Sequence, residues 1–116
     1  MILALVDDLF FSSKITGTAR QLGKEVRIYT KPEALLKDLG DRPQESISSI
    51  ILDLNCRTCS AVDLIREIRG RNISIPLLAF LSHVQADLAR AAQEAGCDQV
   101  VARSYFSSHL AEILTG

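Results

Sequence analysis

Ile50-Ile51-Leu52-Asp53-Leu54-Asn55 is a strand-length segment, apolar nearly throughout, that a single carboxylate interrupts. A strand with one wet face alternates polar and apolar residues, whereas a continuous apolar run suits a strand covered on both faces, as in a parallel sheet. Working outward, runs of the same kind recur at Ile2 to Val6, Val26 to Tyr29, Pro76 to Leu81 and Val100 to Ala102. Between them lie positions of helical periodicity, such as Phe11, Ile15, Thr18 and Leu22, or Leu64, Ile65 and Ile68 followed by Gly70. Thr30-Lys31-Pro32-Glu33 has the T-x-x-E form of a capping box, and Gly40 falls where a left-handed cap would close the same helix. Ser60 with Asp63 marks the start of a third helix, and Gly96 the end of an alanine-rich fourth, Ala86 to Ala95. Five strands alternating with five helices predict an α/β fold, a doubly wound five-stranded parallel sheet with right-handed crossovers.

The 116 residues suit a single domain spanning 1–116, long enough to bury a core without disulfides. Thirteen basic residues against fourteen acidic ones leave a net charge of -1, and neither sign gathers into a block. That pattern argues against direct nucleic-acid binding and against a membrane surface. The apolar start Met1 to Val6 runs straight into Asp7-Asp8, too short for a signal core or a membrane span. Three cysteines, an odd number, fit reduced thiols, and a cytoplasmic location is expected.

In an open α/β sheet, ligands bind at the carboxyl ends of the strands, where the strand order reverses. The first strand ends in Asp7-Asp8 and the third in Asp53, which gathers three carboxylates at one sheet edge if those strands are neighbours. Like charges held together repel unless a cation lies among them. Magnesium takes oxygen ligands, keeps several waters and commonly uses one or two carboxylates, so Mg2+ is the expected cofactor. The bland alternative for Asp8 is that it caps the helix carrying Ile15.

With these residues in place, the chain resembles the receiver domain of two-component response regulators, of the chemotaxis type, over nearly its whole length. Leu3-Ala4-Leu5-Val6-Asp7-Asp8 resembles the family's first strand and acid pair, and Ile50 to Asn55 its phosphoacceptor strand. Ile75-Pro76-Leu77-Leu78 resembles the fourth strand, and Glu94-Ala95-Gly96-Cys97-Asp98 the close of the fourth helix. The resemblance implies a flavodoxin-like (βα)5 receiver architecture. It also implies phosphoryl transfer to Asp53 from a histidine kinase or phosphotransfer protein. Magnesium is then held by Asp8, Asp53 and the Asn55 main-chain carbonyl, with Asp7 assisting through water.

The switch residues depart from the pattern. Leu81 stands where the family has a threonine or serine, and Ser82 replaces that hydroxyl only if the strand has already ended. Arg103-Ser104-Tyr105 stands for the usual lysine, proline and phenylalanine, keeping the charge in a larger planar fork. Val100 replaces the common aromatic residue, Ala61 the common glycine and Arg57 the common proline. Two readings stay open: a phosphorylated receiver with an atypical switch, and a pseudo-receiver that binds partners whatever its phosphorylation state. Either way the expected output is protein contact through the face from the fourth to the fifth helix, with weak homodimerisation as a further expectation. Tyr105, Phe106, His109 and Leu110 are candidates there, although Phe106 and Leu110 suit the core better.

Cys56-Arg57-Thr58-Cys59 raises a thioredoxin-like redox site, but Pro76 follows too soon, and the acid pair has no role in one. Cys56, Cys59 and a distant His83 fall short of a structural zinc set. His83 and His109 are expected at the surface, and Ser12 and Ser13 lack a nucleophile-elbow context. No glycine-rich turn follows the first strand, against a dinucleotide site, and no enzyme in the ordinary sense is expected.

Overall fold

Strands β1 (Ile2–Leu5), β2 (Val26–Tyr29), β3 (Ser49–Asp53), β4 (Leu77–Leu81) and β5 (Gln99–Ala102) form one sheet in the order β2-β1-β3-β4-β5. Every neighbouring pair is parallel, as the unbroken apolar runs require. The structure, a computed structural model, describes residues 1–56, 60–82 and 85–115. Arg57, Thr58, Cys59 and His83, on which several expectations fall, lie outside the described residues.

The helices are α1 (Leu9–Gln21), α2 (Pro32–Asp41), α3 (Ala61–Gly70), α4 (Ala86–Ala95), α5 (Arg103–Ser108) and α6 (Leu110–Thr115), with a short 3-10 turn at Gln44–Ser46. Strand alternation divides the core in two. Leu3, Leu5, Ile50, Leu52, Leu77, Ala79 and Leu81 face α2, α3 and α4. Ile2, Ala4, Ile51 and Phe80 face Phe11, Ile15 and Ala19 of α1 and Phe106, Leu110 and Leu114 of α5 and α6. On that second face Phe80 stacks between Phe106, 4.3 Å between ring centroids, and Phe11, at 5.5 Å.

Three local expectations need correction. The start of α2 lies one residue beyond the capping-box reading: Lys31, at φ -128 and ψ 137 as a residue before proline favours, is the N-cap, and Pro32 takes the first helical position. Gly40 does not cap α2. The helix runs on through Asp41 and stops at Arg42, extended at φ -118 and ψ 148 ahead of Pro43. The single last helix is broken at His109 into α5 and α6, where Nδ1 lies 3.1 Å from the Tyr105 carbonyl oxygen and the ring stacks on Tyr105. His109 is half-buried, while Phe106 and Leu110 belong to the core. Ser60 and Gly96 do cap as expected, Ser60 Oγ accepting from Asp63 N at 3.2 Å and Gly96 adopting φ +117.

Among the described residues no helix is long and apolar enough to cross a membrane.

Candidate functional site

Strand order reverses between β1 and β3, so a crevice opens at their carboxyl ends. Asp7 and Asp8 follow β1 and Asp53 ends β3, which brings all three to that crevice. Asp53 is 2% exposed and is the one polar or charged side chain in the buried class among the described residues. A carboxylate is left there only at a cost, which singles the position out as a candidate site.

Three groups answer that cost in part. The Asn55 N–H donates to Asp53 Oδ1 at 2.9 Å, because the chain turns sharply as β3 ends. Arg103 Nη2 approaches Asp53 Oδ2 at 3.5 Å, a long contact for an ion pair. Its guanidinium lies over the Phe11 ring, 4.8 Å from the centroid, and within 5.8 Å of the Phe80 centroid. Burial pushes the Asp53 carboxyl above the usual carboxylate range. The Asn55 N–H and the Arg103 charge pull it back, and Asp7 and Asp8 add to the rise.

Asp8 also fills the plainer role. It is the N-cap of α1, its Oδ1 accepting from Phe10 N at 2.8 Å and Phe11 N at 3.3 Å. Among the described residues no three His, Cys, Asp or Glu side chains close around a common point, although Asp7 and Asp8 both act on Asp53 through space. The acids share a field without forming a cage. That donor set fits magnesium, which retains most of its waters and asks for one or two carboxylates and a carbonyl, better than it fits an ion needing full enclosure.

The positions expected to form the switch separate. Leu81 is 5% exposed and packs on the α3 and α4 face, with the half-buried Val100 beside it. β4 ends at Leu81, so Ser82 has escaped strand alternation. Ser82 lines a cleft of about 370 Å³ with Phe11, Arg103, Ser104 and Ser107, on the side of the sheet edge where Arg103 reaches Asp53. Arg103 is the first residue of α5 and its side chain is 37% exposed, yet its Nε is buried and has no partner among the described residues.

The sequence reading missed the side chain of Asn55. Its Oδ1 accepts from Ser82 N at 3.0 Å and its Nδ2 donates to Gln85 Oε1 at 2.6 Å, tying the end of β3 to the start of α4. Strand register could have flagged half of it. Asp53 lies opposite Phe80, so the residues two further on, Asn55 and Ser82, come out beside each other.

Sheet order, crevice and buried aspartate together define the fold as that of a response regulator receiver domain. A response regulator receiver domain protein from Clostridium thermocellum matches with a TM-score of 0.83 and 20% identity, over 98% of this chain and 90% of that one. The receiver domain of NtrX from Brucella abortus matches with a TM-score of 0.82 and 19% identity, over 97% and 93%. The BeF3-activated DrrB receiver domain matches with a TM-score of 0.79 and 18% identity, over 98% and 92%. No family model matches the chain, and no curated protein matches it in sequence.

Proposed function

We propose that this chain is a receiver of two-component phosphorelay signalling, accepting a phosphoryl group on Asp53 from a histidine kinase or phosphotransfer protein in the cytoplasm. The observation that carries the reading is the buried Asp53 carboxylate at the reversal of strand order, held by Asn55 N–H and faced by Arg103. An Asp53 oxygen forms the new P–O bond as the donor's P–N bond breaks, and the departing imidazole keeps the electron pair and takes up a proton. Phosphoryl transfer depends mainly on positioning and charge neutralisation. Asn55 N–H fixes the Asp53 rotamer, and the Arg103 guanidinium meets charge that builds on the transferred group. Asp8, Asp53 and the Asn55 carbonyl would hold magnesium, with Asp7 acting through water. When bound, that ion supplies the positive charge that lets an anionic nucleophile meet an anionic donor.

The beryllofluoride-activated state named for DrrB supports the reading by analogy of fold. Output is assigned to the α4, β5 and α5 face, where Tyr105 is 45% exposed, with an effector protein or a weakly associating second copy as partner. The pseudo-receiver reading draws on the aliphatic pair Leu81 and Val100, which has no hydroxyl to respond to the modification. Incubation with magnesium and acetyl phosphate, followed by intact mass, distinguishes the two. The receiver gains one phosphoryl group, and Asp53→Asn abolishes it. A wild type that gains none leaves the pseudo-receiver.

A further inference from the structure

A receiver with leucine at position 81 needs another way to report what happens at Asp53, and a hydrogen-bonded path from the crevice to α4 runs through Asn55. The Asn55 amide is used at both ends, its oxygen by Ser82 N and its nitrogen by Gln85 Oε1. Gln85 is the N-cap residue of α4 and makes no side-chain capping bond there, because its amide oxygen is committed to Asn55. Gln85 N also donates to Ser82 O, at 3.3 Å. Ser82, Asn55 and Gln85 therefore form a closed clasp over the carboxyl ends of β3 and β4.

We propose that this clasp is the switch: at rest Asn55 holds the Ser82 N–H, and a phosphoryl oxygen on Asp53 takes that N–H, releasing the Asn55 and Gln85 side chains and so the start of α4. With Asp53 as acceptor, the reading on which this inference rests, the added oxyanion enters the space flanked by Asn55 N, Arg103 and Ser82. A main-chain N–H bonds a charged oxygen more strongly than a neutral amide oxygen, so the exchange runs towards the phosphoryl group. A cleft of about 190 Å³ lined by Leu81, Ser82, Gln85, Ala86, Ala89 and Val100 separates α4 from β5 and gives the helix start room to shift. Leu81 and Val100 then act as an aliphatic surface for α4 to slide on, with no hydroxyl or aromatic ring required.

Gln85 is thus a positioning residue, and linkage makes its role measurable. If binding at Asp53 must open the clasp, weakening the clasp strengthens that binding. Beryllofluoride with magnesium serves as the probe, followed by fluorine NMR for binding and by amide chemical shifts for α4. In the wild type, binding moves the amides at the start of α4. Gln85→Met removes the acceptor at similar volume, and is expected to bind beryllofluoride about five-fold tighter while α4 moves much less. Gln85→Glu keeps an acceptor oxygen and restores the wild-type pattern. Gln85→Met that binds equally or more weakly, with a full α4 response, overturns the clasp, as does a wild type that binds the probe without moving α4. A wild type that binds no probe overturns the acceptor reading and the clasp with it.

Discussion

Two arginines at opposite edges of the sheet are treated in opposite ways. Arg69, at the amino edge, spends nearly all it has: Nε donates to Gly96 O at 2.9 Å, Nη1 to Ile73 O at 2.8 Å and Ile75 O at 3.0 Å, and Nη2 to Asp98 Oδ2 at 2.8 Å. Asp98 Oδ2 accepts from Leu77 N as well, so one guanidinium fastens the entries to β4 and β5. Arg103, at the carboxyl edge, makes one long polar contact, at 3.5 Å, besides its stacking on Phe11 and Phe80, and keeps its buried Nε unpaired among the described residues. A buried donor left unmatched is costly, so a fold retains one mainly where something else is meant to use it. The saturated arginine is structure, and on the proposed function the unsaturated one is held in reserve beside Asp53, the one buried carboxylate among the described residues.

Matched substitutions break that comparison most sharply. Arg69→Met strands three carbonyls and a carboxylate and is expected to cost about 3 kcal/mol in urea denaturation. Arg103→Met keeps its packing on Phe11 and Phe80 and, with a side chain 37% exposed, costs about 1 kcal/mol or less. Equal costs at the two sites would erase the distinction.

A smaller effect, of opposite sign, is expected at Asp53. Burial raises its folded-state carboxyl above the ordinary carboxylate range, so the folded protein binds the proton more readily than the unfolded chain. That contribution to stability is present in acid and is lost as pH rises from about 4 through the raised value. Asp53→Asn in metal-free buffer should therefore melt higher than the wild type at neutral pH, with the gap closing below about pH 4. A variant less stable than wild type at neutral pH would mean that Arg103 and Asn55 already compensate the buried charge in full.

The carboxyl edge was the legible half of the molecule. Continuous apolar strands predict a parallel sheet, and a sheet of this kind gathers the acids that follow β1 and β3, so Asp7, Asp8 and Asp53 could be placed from sequence alone. The condition set on Ser82 could also be written in advance, because it depends only on where a strand ends. Arg69 escaped because its partners lie up to 29 residues away, in loops whose approach no local pattern encodes. The Asn55 to Gln85 bond escaped for the same reason, at a separation of 30. The errors at α2 came from reading Thr30 and Gly40 by residue type, when the conformations imposed by Pro32 and Pro43 on their predecessors decide both helix ends.

The most direct measurement of the reserve held by Arg103 is thermal melting with and without magnesium and beryllofluoride, in wild type, Arg103→Met and Asp53→Asn. At ten times its dissociation constant the adduct should stabilise the wild type by about 1.4 kcal/mol. Arg103→Met should gain clearly less at the same concentration, and Asp53→Asn nothing. An Arg103→Met protein that gains as much as the wild type would contradict the account, because the unspent guanidinium would then have no part in holding the group on Asp53.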